Sequence, residues 1–186
     1  DRILCEQGGN SYMEFVYDEN GGPHSLYYCN GSVLTKYYYV CGLQGDVLQL
    51  RDETGALVCR YFYDAWGRKL GILDANNRTI SQSDHIANLN PLRYRGYYYD
   101  AETEFYYLNS RYYSPKISRF INADAYVSTG QGIVGNNMFA YCLNNPVMCT
   151  DEDGDISDKR IHDEVLRHIC KKNSNLSDDK TCIYYN

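Results

Sequence analysis

The sequence predicts a mainly β protein built from antiparallel strand-turn-strand units, and three observations carry that prediction. An aromatic run ending directly before Asp recurs along the chain, as FVYDENGG (15–22), RYFYDAWGRKL (60–70) and GYYYDAETEF (96–105). Gly21 and Gly67 stand three residues after Asp18 and Asp64, and Asp52 with Gly55 repeats that spacing. Asp at the first position of a type I turn bonds back to the turn backbone, and Gly closes it. Hydrophobic alternation is the second observation: in VLQLRDETGALVCRYFYD, Val47, Leu48 and Leu50, then Ala56, Val58, Arg60 and Phe62, keep roughly a period of two across the turn. The third is composition. The 186 residues include 21 Tyr against 5 Phe and 1 Trp, and 15 Gly against 4 Pro. Tyr suits strands and half-wet surfaces, and Gly without much Pro suits tight turns.

Taken in order, the strand-and-turn units begin near residue 11. Over residues 72–90 (ILDANNRTISQSDHIANLN) the aromatics give way to Asn, Asp and Ser, which predicts a looser connection. Strand chemistry resumes over 92–120 with YRGYYYD, EFYYLNSRYY and SRFI. GQGIVG at 130–135 fits G-x-G-x-x-G, but no strand and helix of a βαβ unit flank it, so it reads as a loop and no cofactor is expected. After Gly154 the character changes. Ser157 is a candidate cap, Ile161, Val165, Leu166 and Ile169 recur at helical spacing, and Lys171 and Lys172 make a basic end. A short amphipathic helix is predicted there, with a boundary close to Gly154. His162, His168 and Cys170 fall on it, but positions six apart are not neighbours on a helix, so no metal centre is expected.

A formal net charge of −6 argues against a nucleic-acid surface, which needs clustered Lys and Arg. No stretch approaches the roughly 20 apolar residues that span a bilayer. The start, DRILCEQGGN, has neither a basic leader nor an apolar signal core, so any export signal is expected upstream. The 8 cysteines include no C-x-x-C pair, which disfavours a zinc ribbon. Cys29, Cys41, Cys59 and Cys142 sit in strand-like runs and read as small hydrophobes; the disulfide pairing is not fixed by the sequence. Asn30, Asn77 and Asn175 begin N-x-S/T sequons, relevant only in a glycosylating pathway. The Tyr clusters at 37–39, 97–99, 106–107 and 112–113 should alternate between a core side and a half-wet wall.

The segment YRGYYYDAETEFYYLNSRYYSPKISRFINADAYVSTGQGIVGNNMFAYCLNNPVMCTDEDGD resembles the RHS-repeat-associated core, and YYYVCGLQGDVLQLRDETGALVCRYFYDAWGRKL looks like the YD repeats that precede it. The resemblance covers residues 11–155. It implies a family of large secreted or cell-surface proteins that includes toxin-complex C subunits, polymorphic toxins and, distantly, teneurins. In that family the repeats coil into a β-shell around a C-terminal toxin and the core plugs one end. By that resemblance residues 1–90 are YD/RHS repeats, 91–155 the core, and 156–186 the start of a variable tip. The implied partners are the protein's own C-terminal effector, the upstream repeats, and an immunity protein for the tip.

The resemblance also implies an intramolecular aspartyl protease that frees the effector. Its motif letters fall on Arg111 in the R-Y-Y phrase, Asp124 in FINADA, and Asp151 in NPVMCTDEDG. Two carboxylates sharing a site can hold one proton between them, one acting as base on water while the other polarises the carbonyl, and a nearby Arg would keep one ionised. Cleavage is then expected between Gly154 and Ile156. The plainer reading is that both Asp residues only build turns, since Asp151 and Gly154 have the turn spacing seen upstream. Ala125 and Glu152 stand where the family usually has Pro, and Asp155 where it has an apolar residue. Two further readings stay open: a Tyr-rich adhesion or carbohydrate-binding surface that releases nothing, and a non-functional remnant of a larger locus.

Overall fold

The structure, a computed structural model, describes residues 2–124, 137–151, 154 and 159–160. Its main body is a seven-stranded antiparallel meander in chain order: β1 Cys5–Gly8, β2 Ser11–Tyr17, β3 Pro23–Asn30, β4 Val33–Cys41, β5 Val47–Asp52, β6 Leu57–Tyr63 and β7 Lys69–Leu73. A four-stranded sheet follows, ordered β11-β10-β9-β8, from β8 Tyr98–Asp100, β9 Phe105–Tyr107, β10 Tyr112–Ser114 and β11 Arg119–Phe120. The short helix α1 (Ile86–Leu89) lies between the two sheets in sequence, and β12 (Cys149–Thr150) pairs with β13 (Lys159–Arg160). Antiparallel β structure therefore dominates, as the sequence predicts.

The Asp-x-x-Gly turns form as their spacing requires. Asp18 Oδ1 accepts from the amides of Asn20 and Gly22 at 2.9 and 2.8 Å, while the Gly21 amide donates to the Asp18 carbonyl at 2.9 Å. Asp52 and Asp64 make the same three bonds. Each closing Gly is left-handed, with φ of 80° to 83° at Gly21, Gly55 and Gly67. A type I turn followed by a left-handed residue carries a β-bulge, which inserts one unpaired residue. The register accordingly skips His24, Leu48, Val58 and Leu70.

That skip changes which side chains point inward. Simple alternation through Val58, Arg60 and Phe62 does not describe the core; beyond the bulge the buried residues of β6 are Cys59 and Tyr61, and Phe62 is exposed. The buried face of the meander, with Phe15, Leu26, Leu50, Cys59, Tyr61 and Ile72, is covered by Ile80, Ile86, Ala87 and Leu92. The 72–90 segment is thus more ordered than its composition suggests. Asp74 builds another turn of the same kind with Asn77 (φ 62°) in the place of Gly, and Asn tolerates that conformation through local side-chain bonding. Buried Asn90 fixes the cover: its Oδ1 accepts from the Tyr39 hydroxyl at 2.8 Å and its Nδ2 donates to the Leu92 carbonyl at 2.7 Å.

Because strands alternate in direction, the turns at 18–22, 42–46 and 64–68 fall at one end of the meander, and the second sheet abuts that end. Hydroxyls from the second sheet and the turn leading into it satisfy the carbonyls of the 64–68 turn: Tyr94 donates to Ala65, Tyr113 to Trp66 and Tyr106 to Gly67, at 2.8 to 3.0 Å. Phe could fill the same space without making these bonds, which gives the reason for Tyr at these three positions. Residues 159–160, read from sequence as the first turn of a helix, instead pair with β12, tertiary pairing overriding a weak local preference. The remainder of that helix, its capping Ser157 and the 130–135 loop lie outside the described residues.

Candidate active site

Arg111, Asp124 and Asp151 come from three separate stretches of chain. Arg111 closes the tight β9–β10 connection, where the Leu108 amide donates to the Arg111 carbonyl at 2.9 Å and Asn109 is left-handed at φ 62°. Asp124 follows β11, its amide donating to the Met138 carbonyl at 3.0 Å. Asp151 stands one residue past β12 and is 1% exposed.

The Arg111 guanidinium joins them. Nη1 lies 3.0 Å from Asp124 Oδ2, and Nη2 lies 3.4 Å from Asp151 Oδ2. Its face stacks on Phe120, with the guanidinium carbon 3.6 Å from the ring centroid. Nη1 also donates to the Met138 carbonyl at 3.2 Å, and Nε donates to the Gly154 carbonyl. The planar fork of Arg can serve several acceptors at once in this way, which the single ammonium of Lys cannot match geometrically. A buried cation facing two carboxylates also avoids leaving an uncompensated charge out of water.

Gly154 is held from both sides. Its amide donates to Asp151 Oδ1 at 2.9 Å. Its φ is +72°, and a Cβ there would lie 2.5 Å from the Leu108 carbonyl oxygen and 2.8 Å from Ser110 Oγ. The Gly154 amide bonds the Asp151 carboxylate, whereas in the upstream turns the Gly amide bonds the Asp carbonyl, and the same carboxylate also faces the cation.

Two residues that sequence reasoning did not single out complete it. The Tyr97 hydroxyl donates to the Asp151 carbonyl at 2.7 Å and accepts from the Asp151 amide at 3.3 Å, and the Tyr141 hydroxyl is 3.2 Å away. Burial pushes both phenols well above their ordinary titration range. Tyr141 leads into an unusual run, since Cys142, Leu143 and Asn144 have φ of 49°, 52° and 61°. The only sequence signal for these roles was membership of the Tyr-rich core, which does not distinguish one Tyr from another.

A cavity of about 360 Å³ opens elsewhere, between the turns at 18–22 and 42–45 and the 107–109 segment. Arg2, Cys41, Arg95 and Tyr97 line it, and Arg111, Asp124 and Asp151 do not. Among the described residues no group of His, Cys, Asp and Glu is placed to hold a metal ion, and no helix is long and apolar enough to cross a membrane. Ala125, Glu152, Asp155, His162, His168, Cys170 and Asn175 lie outside the described residues.

The tRNA nuclease WapA of Bacillus subtilis is 40% identical over 119 residues, which are 64% of this chain and 5% of that protein. Toxin protein Tse5 of Pseudomonas aeruginosa is 32% identical over 110 residues, 59% of this chain and 7% of that protein. The chain thus spans a small fraction of the curated relatives it matches. The crystal structure of TcdB2-TccC3 superimposes with a TM-score of 0.62 at 24% identity, covering 77% of this chain and 7% of that one, and so shares its fold. The teneurin YD-shell family model matches residues 5–147, most of the chain. A meander of Asp-turn hairpins capped by a Tyr-rich second sheet, together with that match, shows that the chain belongs to the teneurin YD-shell family of RHS/YD-repeat proteins.

Proposed function

We propose that the chain is the closing part of a secreted or cell-surface shell that encloses and presents a C-terminal effector, and that Arg111, Asp124 and Asp151 cut the chain after Gly154. In this reading residues 1–90 are shell repeats, 91–155 a core that plugs the shell, and 156–186 the start of the effector tip. The toxin and nuclease names of the relatives support an effector as cargo. The upstream repeats and an immunity protein for the tip would be its partners.

The observation that carries the cleavage reading is that one guanidinium contacts both carboxylates and the Gly154 carbonyl. Donation from Arg111 Nε draws electron density from that carbonyl and favours attack at its carbon. Water adds there, giving one proton to whichever of Asp124 and Asp151 is ionised. The other, protonated, carboxyl gives its proton to the departing nitrogen as the C–N bond breaks. The products are a carboxylate on Gly154 and a free amino terminus on the tip.

Intact-mass analysis of the full-length protein tests the reading from mildly acidic to neutral pH. The parent should be cut after Gly154, Asp124→Asn and Asp151→Asn should stay whole, and Arg111→Lys should cut more slowly. Near-UV circular dichroism checks that each variant is folded. A folded parent that remains whole would make the core a structural plug, and equal cutting of all four proteins would point to a foreign protease.

A further inference from the structure

We infer that Tyr97 and Tyr141 are positioning residues, a hydroxyl relay that holds Asp151 in register with Arg111 and Gly154; the inference rests on the cleavage reading above. Tyr97 sits just before β8 and Tyr141 beyond β11, and their hydroxyls meet at Asp151. Tyr97 is 7% exposed and Tyr141 fully buried, so solvent cannot readily replace either hydroxyl.

The proton count fixes the direction of the relay. A phenol has one proton to donate. Tyr97 gives it to the Asp151 carbonyl at 2.7 Å, the shortest of its contacts. The 3.2 Å contact between the two hydroxyls is then a donation from Tyr141 to Tyr97. Tyr97 also accepts from the Asp151 amide at 3.3 Å. One side chain thereby grips both main-chain polar groups of Asp151, and Tyr141 orients that side chain.

The grip matters because Asp151 uses both carboxylate oxygens at once, Oδ1 on the Gly154 amide and Oδ2 on Arg111. Rotation of its backbone would break one contact or the other. The two bonds to Tyr97 resist that rotation. Tyr141 reaches Asp151 through the Tyr97 hydroxyl.

This dependence separates positioning from general support of the fold. In the full-length protein, Tyr97→Phe should slow cleavage by about tenfold or more, a cost in the range expected when a reacting group loses its alignment. Tyr141→Phe should slow it several-fold, and the double variant should be no slower than Tyr97→Phe alone. Independent multiplication of the two rate effects, or a Tyr97→Phe protein that cuts like the parent, would overturn the relay. A second measurement does not depend on cleavage: amide hydrogen exchange of the peptide containing Asp151, in the Asp124→Asn protein with and without Tyr97→Phe. Faster exchange at that peptide on loss of the hydroxyl supports the grip, and unchanged exchange refutes it. If the parent is never cut the cleavage reading fails, and the exchange comparison still decides whether Tyr97 holds Asp151.

Discussion

The ring of Tyr94 occupies the space that a side chain on Gly67 would need. A Cβ at Gly67 would lie 2.5 Å from Tyr94 Cδ1 and 2.7 Å from Cγ, and the Tyr94 hydroxyl donates to the neighbouring Ala65 carbonyl at 2.8 Å. The 64–68 turn is therefore also the floor on which the buried Tyr-rich cluster rests.

Replacing Gly67 by Ala should cost more than the same change at Gly55. Both glycines are left-handed, at φ +82° and +83°, but nothing lies within 4 Å of a Cβ at Gly55. Gly55→Ala should lose about 1–2 kcal/mol from the backbone conformation alone. Gly67→Ala adds the displacement of a buried ring, a further ~1–3 kcal/mol of overpacking. Urea unfolding of the two variants beside the parent measures the difference, and equal losses would contradict the Tyr94 contact.

Asp52 should make stability depend on acid. The Thr54 hydroxyl, followed by the Ala56 amide, bonds the ionised carboxylate and holds its pKa below the usual carboxylate value. A depressed folded pKa gives stability that is present above the unfolded value, about 3.9, and is lost as pH falls through the folded one. Asp52→Asn should therefore be less stable than the parent at pH 7, with the gap narrowing as pH drops below about 4. Denaturant melts at the two ends of that window test it; a constant gap would mean the carboxylate charge plays no part. Asp100, lowered chiefly by the Thr103 hydroxyl, should behave in the same direction.

Cys142 should resist alkylation while the protein is folded. Burial is the main reason its thiol is pushed up to about 12, and the nearby Asp151 carboxylate adds to the effect. The thiolate is the reactive form, so at pH 8 iodoacetamide should label exposed Cys5 readily and leave Cys142 unmodified until denaturant is added. Peptide mass mapping reads the order of labelling. Early modification of Cys142 would show that the core beside Asp151 opens in the native state.

Several features were legible in the chain because they are local. An Asp carboxylate reaches the amides two and four residues on whatever surrounds it, so Asp18, Asp52 and Asp64 declared their turns and the meander followed. The resemblance supplied Arg111, Asp124 and Asp151 as candidates, and their convergence on one guanidinium is a property of the fold. Plain alternation misses the bulge that accompanies each closing Gly; the bulge shifts strand parity by one residue, so Cys59 and Tyr61 are buried where alternation alone selects Val58 and Phe62. Tyr97, Tyr94 and Tyr106 look alike in sequence. Tertiary structure alone sends one hydroxyl to Asp151 and the others to the 64–68 turn, because each hydroxyl's partner is 29 or more positions away and is set by how the second sheet seats on the first.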